Sequence, residues 1–157
     1  MIQRTFMRSL INDITTTISP VPQFEAIANL NPHRDYAYRP EFWEIQKQKH
    51  PEIKPLSIKN QSMKDLLGIV KTILKKDLQM NLVEVHEDRA RVEAIAITKW
   101  LRFRDDFLVV LESKGSDEIL VQTRSKSRLG RDDFGANAKR ILRFQEDLQK
   151  ALEKSSV

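Results

Sequence analysis

The stretch "RSKSRLGRDDFGANAKRI", Arg124 to Ile141, decides the reading of this chain, because the hydrophobic period changes inside it. Upstream, "EILVQTR" (118–124) has the β-branched content of a strand. Downstream, "GANAKRILRFQEDLQKAL" (135–152) reads as a helix whose inner stripe includes Ala138, Ile141, Leu142, Leu148 and Leu152. The stretch is therefore a strand-to-helix junction. Gly130 and Gly135 can supply turn dihedrals. Asp132 or Asp133 can cap the helix and complement its N-terminal dipole. Asn137 is a weak helix former, so its amide is expected to bond to loop backbone. These needs leave Arg124, Ser125, Ser127 and Arg128 unexplained. A strand end followed by a helix N-terminus, lined by arginines and hydroxyls, is also how an anion site is built.

Working outward, "FLVVLE" (107–112) is a continuous apolar run, and "KGSD" (114–117) after it is a hairpin turn. Arg104-Asp105-Asp106 reads as a tight break between strands. Before it, "RVEAIAITKWLRF" (91–103) alternates, with Val92, Ala94, Ala96, Thr98 and Trp100 on one side. Ile95, Ile97, Leu101 and Phe103 fall on the other. "NLVEVHE" (81–87) turns into it through Asp88-Arg89. "SMKDLLGIVKTILKKDL" (62–78) is a helix that Ser62 can cap, with Asp65 completing a variant capping box. Gly68 inside it costs about 1 kcal/mol relative to alanine, which suggests a close helix–sheet contact. The expected fold is α+β: a four-stranded antiparallel meander with an N-terminal and a C-terminal helix on one face, preceded by an extended strap.

The strap is "TTTISPVPQFEAIANLNPHRDYAYRP" (15–40), with no sustained period and with Phe24, Tyr36 and Tyr38 as its natural anchors. Pro40 suits the first turn of a short helix, "EFWEIQKQKH" (41–50), which Pro51 ends. "PEIKPLSI" (51–58) should be extended. At the start, "MIQRTFMRSLINDI" sets Ile2, Phe6, Leu10 and Ile14 on one helical face. That face either packs on the domain or lies on a partner subunit or membrane as a peripheral contact through residues 1–14. The expected division is an amphipathic segment over 1–18 and one α+β domain over 19–157.

The 157 residues are enough for one domain with its own core. With no cysteine, disulfides and thiolate metal sites are excluded. No apolar run is long enough to span a bilayer, and no secretory signal is expected. A net charge of +5 without aromatic interleaving argues against nucleic acid as a partner. His33, His50 and His86 stand alone, without ligand spacing, so no metal or other cofactor is expected. Ser125 and Ser127 lack a nucleophile elbow. Asp105 and Asp106 would point to opposite faces in a strand and could converge only in a turn. Catalysis is not the expected role.

Arg124, Ser125, Ser127, Arg128, Gly130, Asp133, Gly135, Asn137, Arg140 and Ile141 together resemble the signature of the domain-of-unknown-function family 1499. "LINDITT", "FRDDF" and "HPEIKPL" resemble further elements of that family in the same order, with His50 where it usually has tyrosine. The resemblance covers nearly the whole chain and implies no reaction. It implies a bacterial or a plastid, thylakoid-associated setting.

Two roles follow as expectations. The first is a non-catalytic accessory or interaction protein, a peripheral subunit of a larger membrane-associated complex that docks through Ile2, Phe6, Leu10 and Ile14. The second is a small-anion or phosphate-ligand binding module at the junction 124–140, built on Arg124, Ser127, Arg128 and Arg140. Beneath both lies a structural clasp. Arg124 and Arg128 pair with Asp105 or Asp106, Asp133 caps the last helix, and Asn137 ties down the loop.

Overall fold

The structure is a computed structural model that describes residues 9–155. It is α+β, with a six-stranded antiparallel sheet. In chain order, strand β1 (Asp13–Thr15) precedes helices α1 (Ala26–Leu30) and α2 (Glu41–Lys49), strand β2 (Leu56–Lys59) and helix α3 (Met63–Thr72). A π-helical turn, Ile73–Asp77, continues α3. Strands β3 (Asn81–His86), β4 (Arg91–Ile97), β5 (Arg104–Lys114) and β6 (Glu118–Ser127) follow, and α4 (Ala136–Ser155) completes the order.

Neighbouring strands from β3 to β6 pair antiparallel, β3 with β4, β4 with β5 and β5 with β6. The free edge of β6 is shared by two short strands the sequence reading did not separate: β2 along Glu118–Val121 and β1 along Arg124–Lys126. At three and four residues they are too short to show a period. β1 lies on the N-terminal side of residue 18, where the sequence reading placed the domain edge.

The N-terminal reading needs correction where it can be compared. Ile2 and Phe6 lie outside the described residues. Ser9 to Asn12 form no regular element, and Asp13–Thr15 is a strand rather than helix. Ile14 is fully buried in the core and so cannot face a partner, whereas Leu10 is half-buried. The β-branched run "ITTT" explains the outcome, since it favours a pleated surface over a helix.

Side chains of the sheet alternate between two cores. On one face Phe107, Val109 and Val92 meet Leu66 and Val70 of α3 and Ile141, Phe144 and Leu148 of α4. Phe144, missed by the sequence stripe, stands edge-on to Phe107 with ring centroids 5.6 Å apart, a geometry worth about 0.5–1.5 kcal/mol beyond burial. The opposite face, around Leu108, is covered by the strap through Phe24, Ile27 and Tyr36. The strap therefore holds a helix of its own, α1, and the helices do not all lie on one face.

Local signals explain most of the rest. Ser62 Oγ accepts from Asp65 N at 3.1 Å and caps α3. Pro40, at φ −56, sits at the N-cap of α2. Gly68 is not a close contact: a Cβ there would meet nothing within 4 Å. No helix among the described residues is long and apolar enough to cross a membrane.

Candidate functional site

The motif at 124–128 lies in a strand, not a loop. β6 runs to Ser127, and Arg104-Asp105-Asp106, expected as a break, begins β5 beside it. Alternation then decides everything nearby. Arg124, Lys126 and Asp106 project to the strap face with Leu108, while Ser125, Ser127 and Asp105 project to the helix face with Phe107. Asp105 and Asp106 therefore belong to different networks.

On the strap face Arg124 has no exposed surface. Its guanidinium grips Asp13 in a fork, Nε to Oδ1 at 3.0 Å and Nη2 to Oδ2 at 2.8 Å. It also donates to Pro22 O and Tyr36 O, both at 2.9 Å. The ring of Phe24 lies 5.0 Å from its Cζ and that of Tyr38 5.6 Å. One arginine thus ties β1 and both ends of the strap to β6, through donors Arg holds in a fixed plane. The pairing expected with Asp105 or Asp106 goes to Asp13 instead, because β1 pairs with the edge of β6 and sets Asp13 on the same face, diagonal to Arg124.

Asp106 pairs with Arg128. Arg128 Nε donates to Oδ1 at 2.9 Å and Nη2 to the same oxygen at 2.8 Å. Tyr36 Oη donates to Asp106 Oδ2 at 2.8 Å. Asp106 is fully buried. Its hydrogen bond raises the pKa of Arg128 further, and burial, with the Asp106 bond second, pushes the Tyr36 phenol well above its ordinary value. Neither Arg128 nor Tyr36 titrates near neutrality.

On the helix face Asn137 is the hub. Its amide nitrogen donates to Ser127 Oγ at 2.8 Å and Asp133 Oδ2 at 2.7 Å. Its oxygen accepts from Ser125 Oγ at 2.6 Å and Arg140 Nη1 at 2.9 Å. Arg140 reaches on to Asp105 Oδ2 at 2.8 Å. Asn137 thus binds side chains rather than the loop backbone alone, its one backbone contact being Asn12 O at 3.4 Å. Asp133 sits three residues before α4 begins. Its Oδ1 accepts from Gly135 N at 2.7 Å, which shapes the turn into the helix. Gly130 and Gly135 adopt φ of 81 and 84, conformations that favour glycine.

The structure so brings Arg128 to Asp106 and Arg140, Ser125, Ser127, Asp133 and Asn137 together with Asp105 beneath the sheet. Asp13 and Tyr36 were not foreseen as members of the network. "LINDITT" was the available signal for Asp13; Tyr36 read only as an apolar anchor. Two more buried polar groups were missed. Gln46 bonds Thr15 O at 2.7 Å and accepts from Thr15 N at 3.0 Å, which secures β1. Glu93 accepts from Glu25 N at 2.8 Å and Ala26 N at 2.6 Å, at the start of α1. Burial raises the pKa of Glu93 above its ordinary value despite those bonds.

The network holds two loops. Arg128 N donates to Arg104 O at 3.2 Å, which joins the β4–β5 turn (98–103) to the β6–α4 loop (128–135) at one end of the sheet. The β4–β5 turn is closed by Thr98, whose N donates to Phe103 O and whose Oγ1 accepts from Phe103 N, both at 2.8 Å. The β6–α4 loop is pinned by Asn12 Nδ2 on Gly130 O at 2.7 Å and by Asp133 N on Ile11 O at 3.0 Å. Expected as a continuous strand to Phe103, β4 stops at Ile97, and the last apolar residues point outward. Trp100 is 94% exposed and Phe134 90%; Leu101, Phe103 and Leu129 are exposed beside them. Among the described residues no cluster of His, Asp and Glu is placed to hold a metal ion.

No curated protein matches this chain. The family described as "Protein of unknown function (DUF1499)" matches residues 13–148, from the first residue of β1 to Leu148 in α4, a span that takes in Asp13, Asp105, Asp106 and every polar residue of the 124–140 network; this chain belongs to that family.

Proposed function

We propose that the domain is a non-catalytic interaction module, an accessory subunit whose docking face is the sheet end formed by the β4–β5 turn and the β6–α4 loop. One observation carries the reading. Of the seven large apolar side chains exposed among the described residues, five (Trp100, Leu101, Phe103, Leu129 and Phe134) lie on those two loops. Large apolar side chains left exposed together on neighbouring loops mark interaction sites. The buried clasp supports it by fixing both loops from behind: Arg128, Arg140 and Asn137 direct their polar atoms to protein partners. Residues 1–8 are a second contact in this reading, and the setting is a membrane-associated assembly.

The test is fractionation. A tagged chain expressed in its native source should sediment with the particulate fraction, and Trp100→Ser with Phe134→Ser should move it to the supernatant. Both sites are exposed, so the melting temperature should stay within about 2 °C. Unchanged sedimentation of the double variant refutes the docking face. Loss of sedimentation only on deletion of residues 1–8 transfers the role to the N-terminus.

A second reading, small-anion binding at 124–140, is favoured by one cleft of about 380 Å³ lined by Arg39, Lys126 and Arg131, with Asp35 as its carboxylate. Arg124 does not serve it, since its donors are already spent on Asp13 and two carbonyls. Phosphate raising the melting temperature of the chain, with the effect lost in Lys126→Ala and Arg131→Ala, would establish that reading.

A further inference from the structure

The geometry points to an anionic lipid bilayer as the partner of this sheet end: Trp100, Leu101, Phe103, Leu129 and Phe134 enter the membrane interface while the cations between them engage headgroup phosphates. The inference rests on the docking face proposed above and names what it docks to.

Charge complementarity carries it. "KWLRFR", Lys99 to Arg104, mixes three cations with Trp100, Leu101 and Phe103, a local interleaving the sequence reading did not credit, and the second loop adds Arg131 beside Leu129, its Arg128 being held by Asp106. Arginine and aromatic residues suit a protein interface as well, but lysine is depleted there, whereas an interfacial membrane segment mixes aromatic residues with both Lys and Arg; Lys99 and Lys139 are the lysines here. Lys99, Arg102, Arg104, Arg131 and Lys139 are all exposed. None of their side chains is ion-paired among the described residues.

Three of the four carboxylates of the same segments, Asp105, Asp106 and Asp133, are buried, and Asp132 is half-buried. Asp105 is taken by Arg140 and Asp106 by Arg128. Asp132 accepts from Ile11 N at 3.3 Å, and Asp133 from Gly135 N and Asn137. Asp105 and Asp106 are thus neutralised inside the clasp, Asp132 and Asp133 keep their charge, and the five exposed cations outnumber them at this end. Lys99, Lys139 and Arg143 line one groove between the β4–β5 turn and the first turns of α4, with Asp77 as its carboxylate. Such a groove suits a headgroup phosphate beneath the inserted tips. Because Thr98 closes the turn and Asp133 fixes the loop, the apolar tips stand in place before any contact.

The test uses the 157-residue chain with Trp43→Phe, which leaves Trp100 as its one tryptophan. It is mixed with sonicated vesicles of phosphatidylglycerol and phosphatidylcholine, and separately with phosphatidylcholine alone. The expected result is co-sedimentation and a blue shift of Trp100 emission with the anionic vesicles, both weakened about tenfold or more by raised salt. Adding Phe134→Ser and Leu101→Ser should weaken vesicle binding about tenfold at an unchanged melting temperature. Arg102→Ala with Arg131→Ala should reduce binding to anionic vesicles while leaving the residual binding to phosphatidylcholine alone. No binding to either vesicle overturns the inference. If particulate association in the native source then survives, the docking face is real and its partner is a protein. Vesicle binding without a Trp100 shift, abolished by deleting residues 1–8, also overturns it by placing the lipid contact elsewhere.

Discussion

Arg124→Met tests whether the buried fork to Asp13 holds the domain together. The side chain removed has no exposed surface and makes two hydrogen bonds to Asp13 and one each to Pro22 O and Tyr36 O. Methionine fills most of the volume but leaves a carboxylate buried without its guanidinium, a loss of about 3–5 kcal/mol. Two orphaned carbonyls add about 1–3 kcal/mol each before relaxation. Lys126 Nζ, 3.9 Å from Asp13 Oδ2, recovers part of the charge penalty. A net loss of about 4–6 kcal/mol follows, set against a typical total of about 5–15 kcal/mol. Urea unfolding at neutral pH, followed by circular dichroism, measures it. Adding Asp13→Leu should restore about 2–3 kcal/mol, because the stranded charge is gone. Arg124→Lys should cost nearly as much as methionine, since an ammonium cannot span a carboxylate and two carbonyls in one plane. A cost below about 1 kcal/mol for Arg124→Met, or single costs that simply add in the double variant, would refute the account.

Asn137→Asp should destabilise more than Asn137→Ala: the alanine strands Ser125, Ser127 and Arg140, about 2–3 kcal/mol, while the aspartate also sets a second carboxylate against Asp133, 2.7 Å from the present amide nitrogen. Thermal melts of the two variants check the order. Glu93 should titrate above the ordinary glutamate value of 4.5, because burial outweighs its bonds to the start of α1. With the folded pKa raised, lowering the pH through it protonates the folded state first, so this group adds stability on acidification and withdraws it as pH rises. A carboxyl-carbon NMR titration of Glu93 that shows an ordinary or lowered value contradicts this.

What the sequence made legible was periodic. The stripe of α3 and α4, the apolar runs of β5 and β6 and the glycines at 130 and 135 all carry their signal within a few residues. What it hid was set at long range. β1 has only three residues, and nothing local marks Asp13 as the partner of an arginine 111 positions later. Asp105 and Asp106 read as a turn because adjacent acids usually sit in solvent. In the structure each is buried on its own face of β5, neutralised by a different arginine. The strand was longer than its apolar run, since Arg124, Ser125 and Ser127 continuing β6 are satisfied by Asp13 of β1, backbone carbonyls of the strap and Asn137 of α4. Trp100 and Phe103 continued the alternation of β4 and so read as sheet. Thr98 ends the strand by closing a turn.

β6 also sets the order of events when the chain is made. Both short strands of its outer edge, at 13–15 and 56–59, are synthesised before it and have no other strand to pair with. A ribosome that has released residues 1–110 has exposed Ile14 and Ile58 without the strand that pairs with theirs. Contacts of such sequence separation make folding slow and late, with loop closure completed before the pairing stabilises it. The N-terminal third therefore closes only once Arg124 has emerged to take Asp13, Pro22 O and Tyr36 O.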